Sequence, residues 1–569
     1  MMKKKIIPAI VVIALIIIVI AVAGGASLFN IFDKIGYSQD YRDLSSYYKI
    51  DKAGDVAIVL QDERIDTKAK LIDGTYYLDY DSVGELLNDG FYIDEHENLL
   101  IYTTATSIIQ NPIGTNTYFI SGEEVTTDYP ISVRQGDTLY LALDYVKKYT
   151  NFSYEAFTDP DRIQMKTEWG DIKTATVKKD TWVRYQGGVK SDILRDLEKG
   201  EEVIILEELE EWDKIKTSDS IIGYVEKKRL DSIQQKSEIP VTDYEEPEFT
   251  RIEKPYTINM AWHAIYATSG NDTFDEMVNG TGTMSIIAPT WYSLTGGDGE
   301  YTSFASASYV EKAHAHNMEV WAVLDNINNA DSNTYEVMSY TSKRTALISK
   351  LMEEAKTIGF DGYNLDFELL PSEAVPHYVQ FIKELSVACR RNGIVLSVDN
   401  YSPRGGANYG LKWQGKFVDY VVIMGYDEHW GTGGVAGSVA SIGFVEEGIN
   451  LVMDQGVPAD KIVNGIPFYT RVWKTVGGEV DSEALGMVAS KEFCDKYNLP
   501  MEWRADVCQY YGEKTMGGTL YQIWLEDTSS IETKLTVMKK LGVAGVAEWQ
   551  LGQEDKAVWD VIDAYVKGE

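Results

Sequence analysis

The chain has 569 residues, too many for one ordinary domain and enough for about three or four. Its formal charge of -35, from 53 Lys and Arg against 88 Asp and Glu, excludes a nucleic-acid partner, because phosphate binding requires basic patches. Three cysteines, Cys389, Cys494 and Cys508, are too few and too scattered for a disulfide scaffold or a metal cluster. Cys389 falls in a helical pattern as a small core residue, whereas Cys494 and Cys508 could pair in an exported protein.

The N-terminus carries three lysines before residue 6, and a dense apolar run covers 6–23. That length suits a membrane span, and lysines before it with an acidic chain after it orient the rest outside the cytoplasm. The Ile and Val run is more apolar than a signal requires, so residues 1–30 are expected to be a retained transmembrane helix. Ala21-Val22-Ala23 offers the alternative, a cleaved signal peptide. The expected location is a single-pass membrane protein with its working domains outside, or a secreted protein after cleavage. No cysteine lies near enough for a lipid anchor.

Residues 31–52 are polar and tyrosine-rich, as in a spacer. An internal repeat follows within 53–170: 76–83 resembles 139–146, and 99–104 falls opposite 162–167. Each copy predicts strand, short helix and strand, introduced by turns such as Asp73-Gly74. The α+β module resembles the small repeat domain named for the N-terminal part of copper amine oxidases, although it carries no copper-ligand cluster. Residues 171–232 predict short strands around Trp182-Val183-Arg184, 201–206, 212–216 and 222–225. That order, with Gly200 and Gly223-Tyr224-Val225, resembles a bacterial SH3 domain, which implies cell-wall contact. Trp212 and Tyr224 then either meet a wall peptide or fill a small barrel core. An acidic, proline-containing linker spans 233–255.

From Tyr256 the rhythm becomes strand then helix, with apolar runs at 258–265, 284–288, 319–324, 362–368, 394–398, 418–424, 462–466 and 542–549. Helical periods at 342–358, 373–391 and 531–541 lie between them. The expected fold is multidomain: a (β/α)8 TIM barrel over 256–569, with an insertion before strand eight, preceded by the small all-β and α+β units.

Within the fourth run, Asn364, Asp366 and Glu368 alternate with Tyr363, Leu365 and Phe367. An extended chain places the polar set on one face, neighbours two apart being roughly 7 Å from each other. Buried carboxylates are costly and mark function. Cleaving a glycosidic bond requires a proton for the leaving oxygen and stabilisation of an oxocarbenium-like centre. Glu368, last and nearest the mouth, is the expected acid, and Asp366 disfavours its ionisation.

The segment 361–368 resembles the strand-four signature of family 18 glycoside hydrolases, Asp-Gly-x-Asp-x-Asp-x-Glu. Met424-Gly425-Tyr426-Asp427 and Gly545-Val546-Ala547-Glu548-Trp549 resemble that family's strand-six and strand-eight motifs. The resemblance implies a retaining, substrate-assisted hydrolase of β-1,4-linked N-acetylglucosamine glycan. Asp366 and Tyr426 would hold the acetamido group, and Trp549 would form the floor under the sugar. Asn364 departs from the commonest aspartate, as in the branch acting on spore and cell-wall glycan. Met424, Asp427, Asn364, Trp291, Tyr469 and Arg471 are further substrate-binding candidates, and Trp262, Tyr292 and Tyr401 stand at or after predicted strand ends. His263, His314, His316, His377 and His429 show no metal-ligand spacing, and no cofactor is expected. The favoured substrate is peptidoglycan, the alternatives being a chitinase or a wall-binding protein that does not cut.

Overall fold

The computed structural model describes residues 36–240, 242–405 and 408–568. The expected anchor at 1–30 lies outside the described residues; among those described, no helix is long and apolar enough to cross a membrane. Residues 36–90, 113–117 and 126–246 form one compact unit, and residues 91–112, 118–125 and 247–568 form another.

The first unit contains two seven-stranded sheets. In one, the repeat copies meet directly: Thr75–Asp79 and Thr138–Ala142 pair antiparallel with Leu78 opposite Leu141. Each runs into a helix, Tyr80–Leu86 and Leu143–Val146. The second strands of the two copies separate, because Arg162–Lys166 pairs with Asp55–Leu60 whereas Leu99–Thr103 belongs to the other unit. The module expected at 53–170 is therefore divided.

The other sheet holds the strands expected from 171 onward, and it continues to Ser237, into the stretch expected as linker. Its core is aliphatic, from Val183, Val203, Ile205, Ile215 and Val225. Trp212 and Tyr224 are half-buried outside that cluster, beside Gly187. The stretch expected as spacer also folds: Asp43 caps the helix Leu44–Tyr48, and Tyr47 and Tyr48 enter the core.

The second unit is built on eight parallel strands, β1 (Ile258–His263), β2 (Ile286–Pro289), β3 (Glu319–Asp325), β4 (Gly362–Asp366), β5 (Val395–Tyr401), β6 (Tyr420–Met424), β7 (Ile462–Pro467) and β8 (Gly545–Trp549). Pairing of β1 with β8 and of β2 with β3 closes the barrel. Strands buried on both faces favour continuous Val, Ile, Leu and aromatic runs, as these are. Met260, Trp262, Trp321, Val422 and Met424 fill the interior. Tyr363, Leu365, Phe367 and Val398 face the helices. The helix Thr341–Ile358 stops at Gly359, whose φ of +86° suits a left-handed cap. At Gly362 a Cβ would lie 2.7 Å from the Trp321 ring, so any larger residue at the start of β4 would have to displace that buried ring.

The amino end of the barrel is tied by the end of the expected linker: Ile252 N–H donates to Asp419 at 2.7 Å and Lys254 pairs with Glu319 at 2.6 Å. Between β7 and β8 lies the expected insertion, a five-stranded antiparallel sheet with the helix Met487–Tyr497. Cys389, Cys494 and Cys508 are free thiols, so Cys494 and Cys508 do not pair.

A second five-stranded sheet, with strands Phe91–Asp94, Leu99–Thr103, Ile108–Pro112, Thr117–Ile120 and Glu123–Thr126, groups with the barrel through its residues 91–112 and 118–125. It meets the two helices flanking β4, Thr341–Ile358 and Val375–Asn392. The first has no cap from its own N-cap residue, and Asp94 supplies it by accepting from Thr341 N–H and Oγ1, both at 2.6 Å. Gln380 donates to Thr103 at 3.0 Å and Arg390 to the Ala105 carbonyl at 2.6 Å. Between the helices, Arg344 forms a bidentate pair with Glu384 at 2.9 and 3.0 Å.

Candidate active site

The carboxyl ends of β3 to β6 bring five acidic side chains to one mouth: Asp325, Asp366, Glu368, Asp399 and Asp427. β4 supplies Asn364 and Asp366 to the interior while Tyr363, Leu365 and Phe367 anchor its other face. The strand ends at Asp366, and Glu368 lies just beyond it.

Asn364 is fully buried and satisfied on both sides of its amide. Its oxygen accepts from Trp262 Nε1 at 3.0 Å, and its nitrogen donates to Ser397 Oγ at 3.0 Å and Asp399 Oδ1 at 2.7 Å. An aspartate here would face another carboxyl, whereas the amide donates to Asp399 and favours its ionised form. Burial nevertheless dominates and holds Asp399 well above the usual carboxylate range.

Asp366 is pushed well above its ordinary value by burial first, then by the charges of Asp399, Glu368 and Asp325. Its Oδ1 is buried and has no hydrogen-bond partner among the described residues. A buried acceptor without a donor is costly, and at a cavity mouth it marks a place for one. Glu368 is raised chiefly by burial, with Asp427 and Asp325 adding to the shift, while Tyr401, whose hydroxyl donates to Oε2, opposes it. A carboxyl with a raised pKa keeps its proton closer to neutral pH and can donate it.

Tyr426 is buried, and the charges of Asp366 and Asp399 add to burial in keeping its hydroxyl protonated. Its ring meets Tyr469 edge-on at 6.3 Å. Tyr469, on the first insertion strand, donates to Asp427 Oδ1, and the nearby Arg471 charge lowers the Asp427 pKa against the rise from burial. Arg471 itself donates to Ser482 at 3.0 Å. Asp427 and Leu369 follow site residues with φ of +58° and +52°. For a branched residue such as Leu369 that conformation costs about 1–2 kcal/mol. Trp549 is half-buried and lies edge-on to Trp262 at 5.7 Å.

Of the candidates from sequence, Asn364, Asp366, Glu368, Tyr426, Asp427, Tyr469, Arg471 and Trp549 gather at the mouth. Met424 packs in the barrel interior beneath them. Trp291 is not at the mouth: it is fully buried between barrel and helices, donates to Asn271 at 2.9 Å and packs on Tyr309 at 5.2 Å. Tyr292 is likewise enclosed, bonded to Glu354 at 3.2 Å. Sequence reasoning missed Asp325, Asn326 and Asp399. Asp325 accepts from Ser293 at 2.9 Å and from three donors on Ile327 and Asn328. Asp361, first in the β4 motif, faces the opposite end, accepting from Val320 N–H at 2.9 Å and bonding His314 Nε2 at 2.8 Å. Among the described residues no three His, Cys, Asp or Glu side chains converge as a metal site.

A closed barrel of eight parallel strands with carboxyl groups gathered at the strands' carboxyl ends is the (β/α)8 fold, whose active sites lie at that face. Residues 235–554, more than half of the chain, match the family described as Glycosyl hydrolases family 18. The chain belongs to that family. It is 27% identical over 257 residues to a cortical fragment-lytic enzyme of Bacillus anthracis, covering 42% of this chain and 58% of that protein. The chain thus spans little more than half the length of that relative. A glycosylase of Bacillus subtilis strain 168 described as uncharacterized, YvbX, is 24% identical over 314 residues, 52% of this chain and 89% of the relative. The fold matches the C-terminal domain of a protein designated a chitinase in Desulfitobacterium hafniense DCB-2. There the TM-score is 0.50 at 20% identity, over 55% of this chain and 99% of that one.

Proposed function

We propose that this protein is a retaining, substrate-assisted hydrolase of β-1,4-linked N-acetylglucosamine glycan, with peptidoglycan as its substrate. The observation that carries the reading is Asp366 Oδ1, a buried acceptor with no partner among the described residues, on a carboxyl that feels the charge of Glu368 and acts on the hydroxyl of Tyr426. The N–H of a 2-acetamido group is the donor it lacks.

In the first step Glu368 protonates the leaving glycosidic oxygen as the C1–O bond breaks. The acetamido carbonyl oxygen forms a new bond to C1 from the other face, giving an oxazolinium ion. Asp366 accepts from the acetamido N–H, and its ionised form becomes favoured as positive charge grows on that ring. Tyr426 holds the same group, and Trp549 supports the sugar ring. In the second step Glu368, now a carboxylate, takes a proton from water, which adds to C1 and opens the oxazolinium. Two inversions retain the anomeric configuration, the substrate-assisted exception to the two-carboxylate scheme.

Peptidoglycan is favoured over chitin by the relatives described as cortical fragment-lytic enzymes. An extracytoplasmic, membrane-tethered location, with wall contact through the SH3-like region, is part of the same proposal, supported by the lysines and apolar run before residue 24. The test is mass analysis of products from purified peptidoglycan and chitin digested side by side, with Glu368→Gln as control. New reducing N-acetylglucosamine ends from peptidoglycan, lost in the variant, are expected. Cleavage of chitin alone would overturn the substrate, and binding without turnover of either would overturn the hydrolase.

A further inference from the structure

Past β4 the acid loses its strand neighbours. The last ladder partners are Asp366 with Asp325 and Leu365 with Val398, so Glu368 stands outside the sheet. Its peptide groups need partners, and one side chain provides both. Asn326, one residue beyond β3, accepts from Glu368 N–H at 2.8 Å and donates to the Glu368 carbonyl at 3.0 Å. Its amide is itself oriented by a 3.0 Å bond to Thr334 Oγ1. The carboxamide thus mimics a neighbouring strand for one residue, immediately before Leu369 turns into the left-handed region.

We infer that Asn326 is the positioning residue of the acid, setting the height of Glu368 above the sugar without touching substrate. The role rests on the reading of Glu368 as the proton donor. A carboxamide is required because the peptide unit needs a donor and an acceptor side by side; Asp lacks the donor and Leu lacks both. Tyr401 fixes the carboxyl end of the same side chain, so backbone and head are held separately.

In the step that breaks the glycosidic bond, which kcat/KM reports, a misplaced acid hurts only where the leaving group needs its proton. In the full-length protein, Asn326→Ala is expected to lower kcat/KM about tenfold or more on an unactivated N-acetylglucosamine oligosaccharide. With a 2,4-dinitrophenyl leaving group the loss in kcat/KM should shrink to within about threefold, and KM on the unactivated substrate should move less than about twofold. Thr334→Val, which removes only the orienting bond, should show the same leaving-group dependence with a smaller loss, and it carries the test should Asn326→Ala not fold. Equal losses on both substrates, or none, would overturn the role of Asn326 alone. Wild-type protein inactive on both would overturn the hydrolase reading itself.

Discussion

Asn364 donates its amide hydrogen to Asp399 across 2.7 Å, from the middle of β4 to β5. The contact lies at the base of the acidic mouth, and its chemistry sets how many protons the cluster holds.

Replacing that amide with a carboxyl, Asn364→Asp, adds a like charge beside Asp399 and Asp366. Like charges raise one another's pKa, and the effect reaches Glu368 through the same cluster. The basic limb of the kcat/KM profile, where the acid loses its proton, is expected to move to higher pH, with kcat at the optimum within about tenfold of wild type. A limb that stays in place would show that Asn364 is electrically remote from the acid.

Tyr401→Phe removes the hydrogen bond donated to Glu368, an interaction that favours the ionised acid. Without it the Glu368 pKa rises further, and the basic limb again moves up. Unlike the Asn364 change, this one also frees the carboxyl head, so kcat should fall several-fold. pH profiles of the two variants measured together check the sign of each.

Glu548 precedes Trp549, is fully buried, and has no partner on either carboxyl oxygen among the described residues. Burial first, then the Glu554 charge, raise its pKa well above the ordinary value. With the folded value above the unfolded one, its contribution to stability is complete below the unfolded pKa, near 4.3, and is lost as pH rises through the folded value. Asp366 and Asp399 act in the same direction. Glu548→Gln is therefore expected to reduce the fall in Tm between pH 5 and pH 9. An unchanged slope in thermal melts would rule the residue out as a contributor.

Arg344 and Glu384 form a bidentate pair with both side chains almost wholly buried. Arg344→Met leaves the carboxylate without its counter-charge, a loss of about 3–5 kcal/mol. Adding Glu384→Met should recover most of it, because the exposed cost belongs to the orphaned charge and not to the missing pair. Denaturant midpoints of the two variants separate these terms.

The β4 ladder was legible because a two-residue period puts Asn364, Asp366 and Glu368 on one face whatever the neighbouring strands do. Asp399 escaped because the apolar run of the fifth strand stops at Val398, although β5 continues to Tyr401. Polar residues that end a barrel strand read as loop until the strand beside them is known. Asn326 escaped for a related reason: its partners are the peptide atoms of Glu368, and backbone partners leave no sequence signature. Trp291 follows the end of the second strand, a position that in sequence suits the mouth and the core equally; its ring is buried and bonded to Asn271, just before the hairpin of Tyr292–Thr295 with Glu300–Ser303. Tyr47 and Tyr48 sit in a polar stretch whose composition hid a buried helix. The repeat at 53–170 was visible, but likeness between copies carries no information about which sheet each copy joins.

Asp94 and Thr341 are 247 residues apart in sequence. At roughly 5–20 residues per second a ribosome needs roughly 12–50 s to make what lies between them. During that interval the strand edge and carboxylate of the 91–126 sheet wait for helices that do not yet exist. The cap on the helix before β4 therefore closes only after the chain through Thr341 has been made, and contacts of such range are among the slower ones to form.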